Sequence, residues 1–359
     1  MSSQDVQRPI CIIGLGLIGG SLLRDLAGYN HPVFGYNHST SGARTAVKQG
    51  FDVTDDLPAI LTRAETENAL IVIAVPMGAV GEVLDAIQEH APSCGITDVV
   101  SVKTAVRQQV LERGMESRYV GGHPMAGTSQ SGWDNSQKDL FRRAAWGITY
   151  DYAAECEARG EKIPKQWIET FTEVVRMTQM VHAEAVPIRV ANHDAAVARI
   201  SHLPHVFAEI LAVVGDNGGI LAQSLSAGSF KDATRVAGTH PELVQQMCET
   251  NAPALVEALD EAMDLLRDAR EKLDSPEPSI AELSDAGYRA RTRIDARSGA
   301  RKESVSPIKI SSRPVLRLHP GGPNWVAQLR QSESLGGASR FSSACDPVGR
   351  ECGILPRRQ

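Results

Sequence analysis

Ten residues into the chain the sequence reads Ile10-Cys11-Ile12-Ile13-Gly14-Leu15-Gly16-Leu17-Ile18-Gly19. A short apolar run breaks into three glycines at G-x-G-x-x-G spacing, and a helical pattern, LIGGSLLRDLAG, follows and closes at Gly28. In a strand–turn–helix each glycine has its own task. Gly14 makes the tight turn, Gly16 lets the backbone approach a pyrophosphate, and Gly19 lets helix and strand pack closely. The helix opening at Leu17 and Ile18 then offers its free N–H groups to the phosphates. The bare motif says little. Its position between strand and helix makes it a dinucleotide-binding turn.

The next stretches keep the same rhythm. HPVFGY, NALIVIAVP, DVVSV, RYVGG and AAWGITY are apolar runs that read as strands. TSGARTAVKQG, opening at a cap-like Ser41 and stopping at Gly50, and AVGEVLDAIQEH read as helices between them. Apolar strands alternating with helices imply a parallel sheet covered on both faces, so residues 1–152 are expected to form a Rossmann-type α/β domain. From Lys162 to Leu273 the period is helical, with no convincing strand. Residues 160–274 are therefore expected to form a separate all-helical domain. DSPEPS opens a linker and C-terminal extension over 275–359, expected to be partly disordered.

The 359 residues suit two domains, and 42% hydrophobic with 22% charged residues suits a globular core. No uninterrupted apolar run has the length of a membrane span, and the N-terminus lacks the pattern of an export signal. Six scattered cysteines without a C-x-x-C pair suit free thiols in a reducing cytoplasm. From Ala286 onward fourteen Lys/Arg face five Asp/Glu, a net +9, so the whole chain's −6 leaves −15 on the preceding 285 residues. That basic tail reads as a solvated extension. Neither a membrane nor a nucleic-acid partner is expected.

The end of the second strand selects the dinucleotide. An acidic residue there would hold both ribose hydroxyls of NAD and repel a 2′-phosphate. This chain has Asn37, His38 and Ser39 instead, with Thr40 next and Arg44 one helical turn on. The pattern favours NADP and leaves NAD open. Val75-Pro76-Met77 ends the third long strand, and Ser101 and His123 follow the next two. Loops at the carboxyl ends of such strands line the ligand crevice, so Met77, Ser101 and His123 are expected in one cleft.

GLGLIGGSL, SVK after an apolar strand, GGHPMAGT, SHLPH and FKDATR occur in that order over residues 8–275. This series resembles the prephenate/arogenate dehydrogenase family of tyrosine biosynthesis. The resemblance implies NAD(P)-dependent oxidative decarboxylation of prephenate or L-arogenate, by a dinucleotide domain followed by a helical domain that forms a homodimer. A neutral histidine suits acceptance of the substrate's hydroxyl proton, which assigns that role to His123, with Ser101 holding the imidazole and the hydroxyl. By the same resemblance Arg235 grips a substrate carboxylate, His202 and His205 help place the substrate, and Lys231 and Asp232 orient their loop. Ser129 stands where the family commonly has an acidic residue, six positions after the histidine, and bears on whether the keto or the amino substrate is taken.

Three other readings compete. His193-Asp194 with His202 and His205 could mimic a metal site, but that leaves the glycine turn idle and Pro204 disturbs the spacing. No metal is expected. A β-hydroxyacid dehydrogenase would want a lysine one turn before Asn192, where Ile188 and Arg189 stand. A non-enzymatic NADP sensor would not need Ser101, His123 and Arg235. In the tail, PVLRLHPGGPNWVAQLRQ reads as strand, turn and short helix, and faintly resembles the first turn of an amino-acid-binding ACT module. Feedback by tyrosine through this tail is the corresponding expectation.

Overall fold

The computed structural model describes residues 7–127, 130, 132–298 and 315–341. Two compact units divide at Val190, the second running over Ala191–Pro314 and the first also taking in the tail from Val315.

The first unit is built on six parallel strands: β1 Ile10–Ile13, β2 Val33–Tyr36, β3 Val53–Thr54, β4 Leu70–Ile73, β5 Ile96–Asp98 and β6 Tyr119–Val120. Their order, β3-β2-β1-β4-β5-β6, reverses direction between β1 and β4, the topological switch point where such sheets bind ligands. The strand ICII is buried throughout because both faces are covered. Ile10 and Ile12 join Leu70 and Val72 in one apolar cluster, with Leu22, Leu23 and Leu26 of helix α1 (Leu17–Gly28). Cys11 and Ile13 join Ile71 and Ile73 in the other. Helices α3 (Leu57–Thr66), α4 (Val80–His90) and α5 (Thr104–Glu112) add further apolar side chains to it. Helix α2, Thr40–Lys48, starts earlier than its sequence suggests, because the capping hydroxyl is Ser39, which accepts from the Gly42 N–H at 3.2 Å.

The chain then leaves the parallel sheet. β7 (Gly122–Pro124), β8 (Ala145–Thr149) and β9 (Glu184–Ile188) form a second sheet, in which β7–β8 is antiparallel and β8–β9 parallel. RYVGG and AAWGITY are thus not both strands of the first sheet. β9 was not legible among the helical repeats. It is an edge strand whose Pro187 pairs with Ile148 and needs no N–H on its free side. After α6 (Asp151–Ala158), helix α7 (Lys165–Met180) packs Trp167, Phe171 and Val174 into the first unit's core.

The tail belongs to this unit too. β10 (Val315–Leu318) and β11 (Ala338–Phe341) pair in parallel, and between them lies a helix over Trp325–Ser334. The strand, turn and helix read from the sequence are present, with β11 added. The tail helix buries Trp325, Val326 and Leu329, and Trp325 meets Phe171 with ring centroids 5.6 Å apart. The extension is therefore not merely solvated. Of the extension 275–359, expected to be partly disordered, residues 299–314 and 342–359 lie outside the described residues.

The second unit is helical. α8 (Val190–Val197) runs through a π-helical turn, Ala198–His202, into α9 (Leu203–Asn217). Short helices α10 (Gly219–Ser224) and α11 (Gly228–Thr234) follow, then α12 (Pro241–Thr250), α13 (Ala252–Leu273) and α14 (Ala281–Ser298). The tail helix, Trp325–Ser334, is α15. The continuous stretch Val190–Asn217 is long and apolar enough, by length and composition, to cross a membrane, with 22% of its most apolar window buried. Asp194, Arg199 and Glu209 interrupt the run, which hides that length from a search for unbroken apolar segments. On the same unit Ile210, Leu211, Val213, Val214, Ile220 and Leu221 are exposed.

Candidate active site

The glycine turn meets each of its geometric demands. Gly14 has φ +103°, and a Cβ there would stand 2.6 Å from the Ala74 carbonyl oxygen. A Cβ on Gly19 would stand 2.0 Å from the Gly14 oxygen and 2.9 Å from the Ala74 methyl. Gly16, the N-cap of α1, differs: nothing lies within 4 Å of its Cβ position. That open space ahead of the first helical N–H groups is what a pyrophosphate needs, and the turn fits a dinucleotide. Leu17 is buried and Ile18 half-buried, so Leu17 anchors the turn in the core. Val75 and Met77 are half-buried and Pro76 exposed where the chain leaves β4.

Beside the turn is a cleft of about 360 Å³ lined by Leu15, Gly16, Asn37, Ser39, Ser41, Thr45 and Asp134, among others. The Asn37 amide lies 2.5 Å from where a Cβ on Gly42 would be, so glycine keeps the start of α2 clear for it. Asn37 and Ser39 thus line the cleft. His38 and Arg44 do not: both are exposed, and His38 Nδ1 sits 3.4 Å from the Tyr36 hydroxyl. Asp134 is a charged lining residue that the sequence hid. It sits on a 3₁₀ turn, Trp133–Asn135, far along the chain from the glycine motif.

Ser101 and His123 are both half-buried in the same unit. Ser101 lies three residues past β5, as expected of a strand-end loop. His123 also lies three residues past a parallel strand, β6, but not in a loop: it is the centre of β7, paired with Gly147 of β8. The physical reason is the Gly121-Gly122 pair. A Cβ on Gly122 would stand 2.6 Å from the Asp98 backbone oxygen, so only glycine lets the chain cross β5 so closely. Ser129 lies outside the described residues.

The second unit carries the other expected residues. His202 is buried on the π-helical turn and takes a hydrogen bond at Nδ1 from the Asn251 amide, 3.1 Å away. Asn251 also donates to the Asp194 carbonyl at 2.9 Å. Burial, with His205 and His193 nearby, pushes the His202 pKa down to about 4, so its ring is neutral and offers hydrogen bonding but no charge. His205 is half-buried, its Nδ1 2.8 Å from the Ser201 oxygen. Arg235 opens a 3₁₀ turn after α11, and Arg235, Lys231 and Asp232 are all exposed. Phe230 anchors that loop on α9, filling the space over Gly215. The His193 Nδ1 is engaged by its neighbour Asp194 at 2.7 Å, and among the described residues no three His, Cys, Asp or Glu side chains cluster as a metal would need. Burial raises the Cys11 thiol pKa well above its usual range and that of Cys94 to about 12, so neither serves as a thiolate.

A doubly wound sheet with a glycine turn at its switch point, open at the N-terminus of α1, has the form of a dinucleotide-binding domain. Comparison with known proteins narrows this. Residues 20–180 match the family model described as prephenate dehydrogenase, nucleotide-binding domain, and residues 189–277 match prephenate dehydrogenase, dimerization domain. The chain belongs to the prephenate dehydrogenase family. A solved structure of a candidate prephenate dehydrogenase from Corynebacterium glutamicum is 56% identical, covering 94% of this chain and all of that one, with a TM-score of 0.87. The cyclohexadienyl dehydrogenase of Zymomonas mobilis is 32% identical over 75% of this chain and 90% of its own. The prephenate dehydrogenase of Bacillus subtilis is 32% identical over 70% of this chain, and the match spans 66% of that longer protein.

Proposed function

We propose that this enzyme performs the NAD(P)-dependent oxidative decarboxylation of prephenate to 4-hydroxyphenylpyruvate, or of L-arogenate to L-tyrosine. The observation that carries the reading is the half-buried His123, on a strand whose Gly122 passes close against Asp98 of β5, in the sheet that holds the Gly14–Gly19 turn. The bound dinucleotide supplies the hydride acceptor. His123 takes the proton from the substrate hydroxyl as the carbon bearing it loses hydride. Ser101 holds that hydroxyl and the imidazole in register. The bond to the ring carboxylate breaks, its electron pair passes through the ring to the oxygen, carbon dioxide leaves, and the aromatic phenolate takes the proton back from His123. Arg235 grips a carboxylate with its guanidinium fork, and His202, with its neutral ring, and His205 orient the substrate by hydrogen bonds.

NADP is the favoured cofactor in this reading. Asn37 stands where a carboxylate would repel the 2′-phosphate, and the hydroxyls of Ser39, Ser41 and Thr45 line the same cleft. NAD is the second reading, because the Asp134 carboxylate also lines it. The active form is a homodimer, supported by the exposed apolar side chains of α9 and α10 and by the match to a dimerization domain. The free thiols of Cys11, Cys94, Cys156 and Cys248 suit the cytoplasm. A spectrophotometric matrix, prephenate and arogenate each with NAD and NADP, tests the whole proposal. Turnover of neither substrate with either cofactor refutes it, and a preference for NAD refutes the cofactor reading alone.

A further inference from the structure

One buried ion pair joins the two segments that carry Ser101 and His123. Asp98 ends β5 and Lys103 immediately precedes α5, and both are fully buried. The Lys103 ammonium donates to the Asp98 carboxylate and, at 2.7 Å, to the Gly122 carbonyl. The same carboxylate accepts from the Val100 N–H at 3.0 Å, the Gly122 N–H at 3.2 Å and the Tyr119 hydroxyl at 2.6 Å. Val100 directly precedes Ser101, and Gly122 directly precedes His123. The peptide units on both sides of Gly122 are therefore pinned, one by Asp98 and one by Lys103.

Burying two opposite charges is a costly way to hold a core together, since well-packed apolar residues of similar volume often serve stability as well or better. What the pair supplies, and an apolar pair cannot, is directional hold on several backbone groups at once. We propose that Asp98 and Lys103 are positioning residues for the proton transfer, fixing the His123 imidazole against the Ser101 hydroxyl. This rests on the reading of His123 and Ser101 as the proton-handling pair.

Lys103→Met releases the Gly122 carbonyl and leaves the Asp98 charge without its ammonium. Tyr119→Phe is the gentler variant, removing one donor from Asp98 without stranding a charge. In each full-length variant, dinucleotide-binding sites are counted by titration with NADP and NAD, and kcat per site and substrate KM are measured. Lys103→Met is expected to lower kcat per site about 100-fold, the scale of a misplacement near 1 Å, with dinucleotide affinity within about twofold of wild type. Tyr119→Phe is expected to lower it about threefold, the effect of one modest hydrogen bond. A purely structural role would reduce the number of binding sites and leave kcat per site unchanged. Normal kcat per site in Lys103→Met overturns the proposal. If that variant does not bind dinucleotide at all, normal kcat per site in Tyr119→Phe overturns it. His123→Asn, assayed alongside, separates the two claims. If it collapses turnover while the other two variants are normal, only the positioning role fails. If it turns over normally, the reading of the proton-handling pair fails.

Discussion

Two alanine substitutions in the glycine turn should part binding from folding. At Gly19 a new methyl carbon would sit 2.0 Å from the Gly14 oxygen and 2.9 Å from the Ala74 methyl. The obstacle is largely backbone and cannot swing aside, so α1 must lift from β1. Forced overpacking of this kind costs about 1–3 kcal/mol or more. For a folding unit the size of the first one that lowers Tm by about 2–4 °C per kcal/mol. At Gly16 the methyl meets nothing, and φ −81° with ψ −156° suits alanine without strain. Two small effects there oppose each other. Alanine restricts the unfolded chain, worth about 0.4–1 kcal/mol, and it is a poorer N-cap than glycine. Tm should therefore stay within about 2 °C of wild type. The same methyl occupies the space through which the pyrophosphate reaches the helix N–H groups. Losing that approach should raise the dinucleotide Kd at least about tenfold, a change of 1.4 kcal/mol. Differential scanning fluorimetry and a fluorescence titration with NADP and NAD measure both quantities. A Gly16→Ala protein that binds dinucleotide normally, or that melts as early as Gly19→Ala, would refute the assignment of tasks within the turn.

Three further outcomes follow from the same geometry. Arg235→Gln should raise substrate KM about 10–100-fold, as loss of a charge-assisted hydrogen bond would, while dinucleotide KM stays put; steady-state kinetics with each reactant varied would show it. The lowered pKa of His202 means the unfolded chain binds more protons than the folded one between about pH 6.5 and 4. Stability from this group is present above that window and lost as pH falls through it, so thermal melts across pH 4–7 should slope downward toward acid and flatten in His202→Asn. Leu329→Ala should cost about 2–5 kcal/mol, because the Leu329 side chain on α15 is fully buried in the first unit's core; denaturant unfolding would reveal a freely solvated tail as no change. This last result also bears on tyrosine feedback, since a truncation that strips α15 uncovers Trp167 and Phe171 before it removes any effector site.

What could be read in advance followed local pattern. The glycine turn, the buried strands and the strand–turn–helix of the tail each carry their signal within about a dozen residues. Ser101 was placed by the end of an apolar run. Other features depend on contacts between distant segments. Asp134 joins the cofactor cleft from a turn with no repeating pattern. His123 sits on β7 because Gly122 must pass over Asp98, a contact between residues 24 positions apart. Lys103 looks like an ordinary cation in SVK, and only the fold shows it buried beneath the histidine segment. β9 carries no comparable local signal, because five residues with a proline give too short an alternation beside long helical periods. The π-helical turn at Ala198–His202 has no signature that distinguishes SHLPH from a regular helix start.

The central claim is that His123 accepts the substrate's hydroxyl proton, and single-turnover kinetics of His123→Asn test it most directly. The account predicts a fall in the hydride-transfer rate of about 100-fold or more, the usual contribution of a positioned general base, with the dinucleotide Kd unchanged. A rate within about threefold of wild type, far less than a general base contributes, would contradict it.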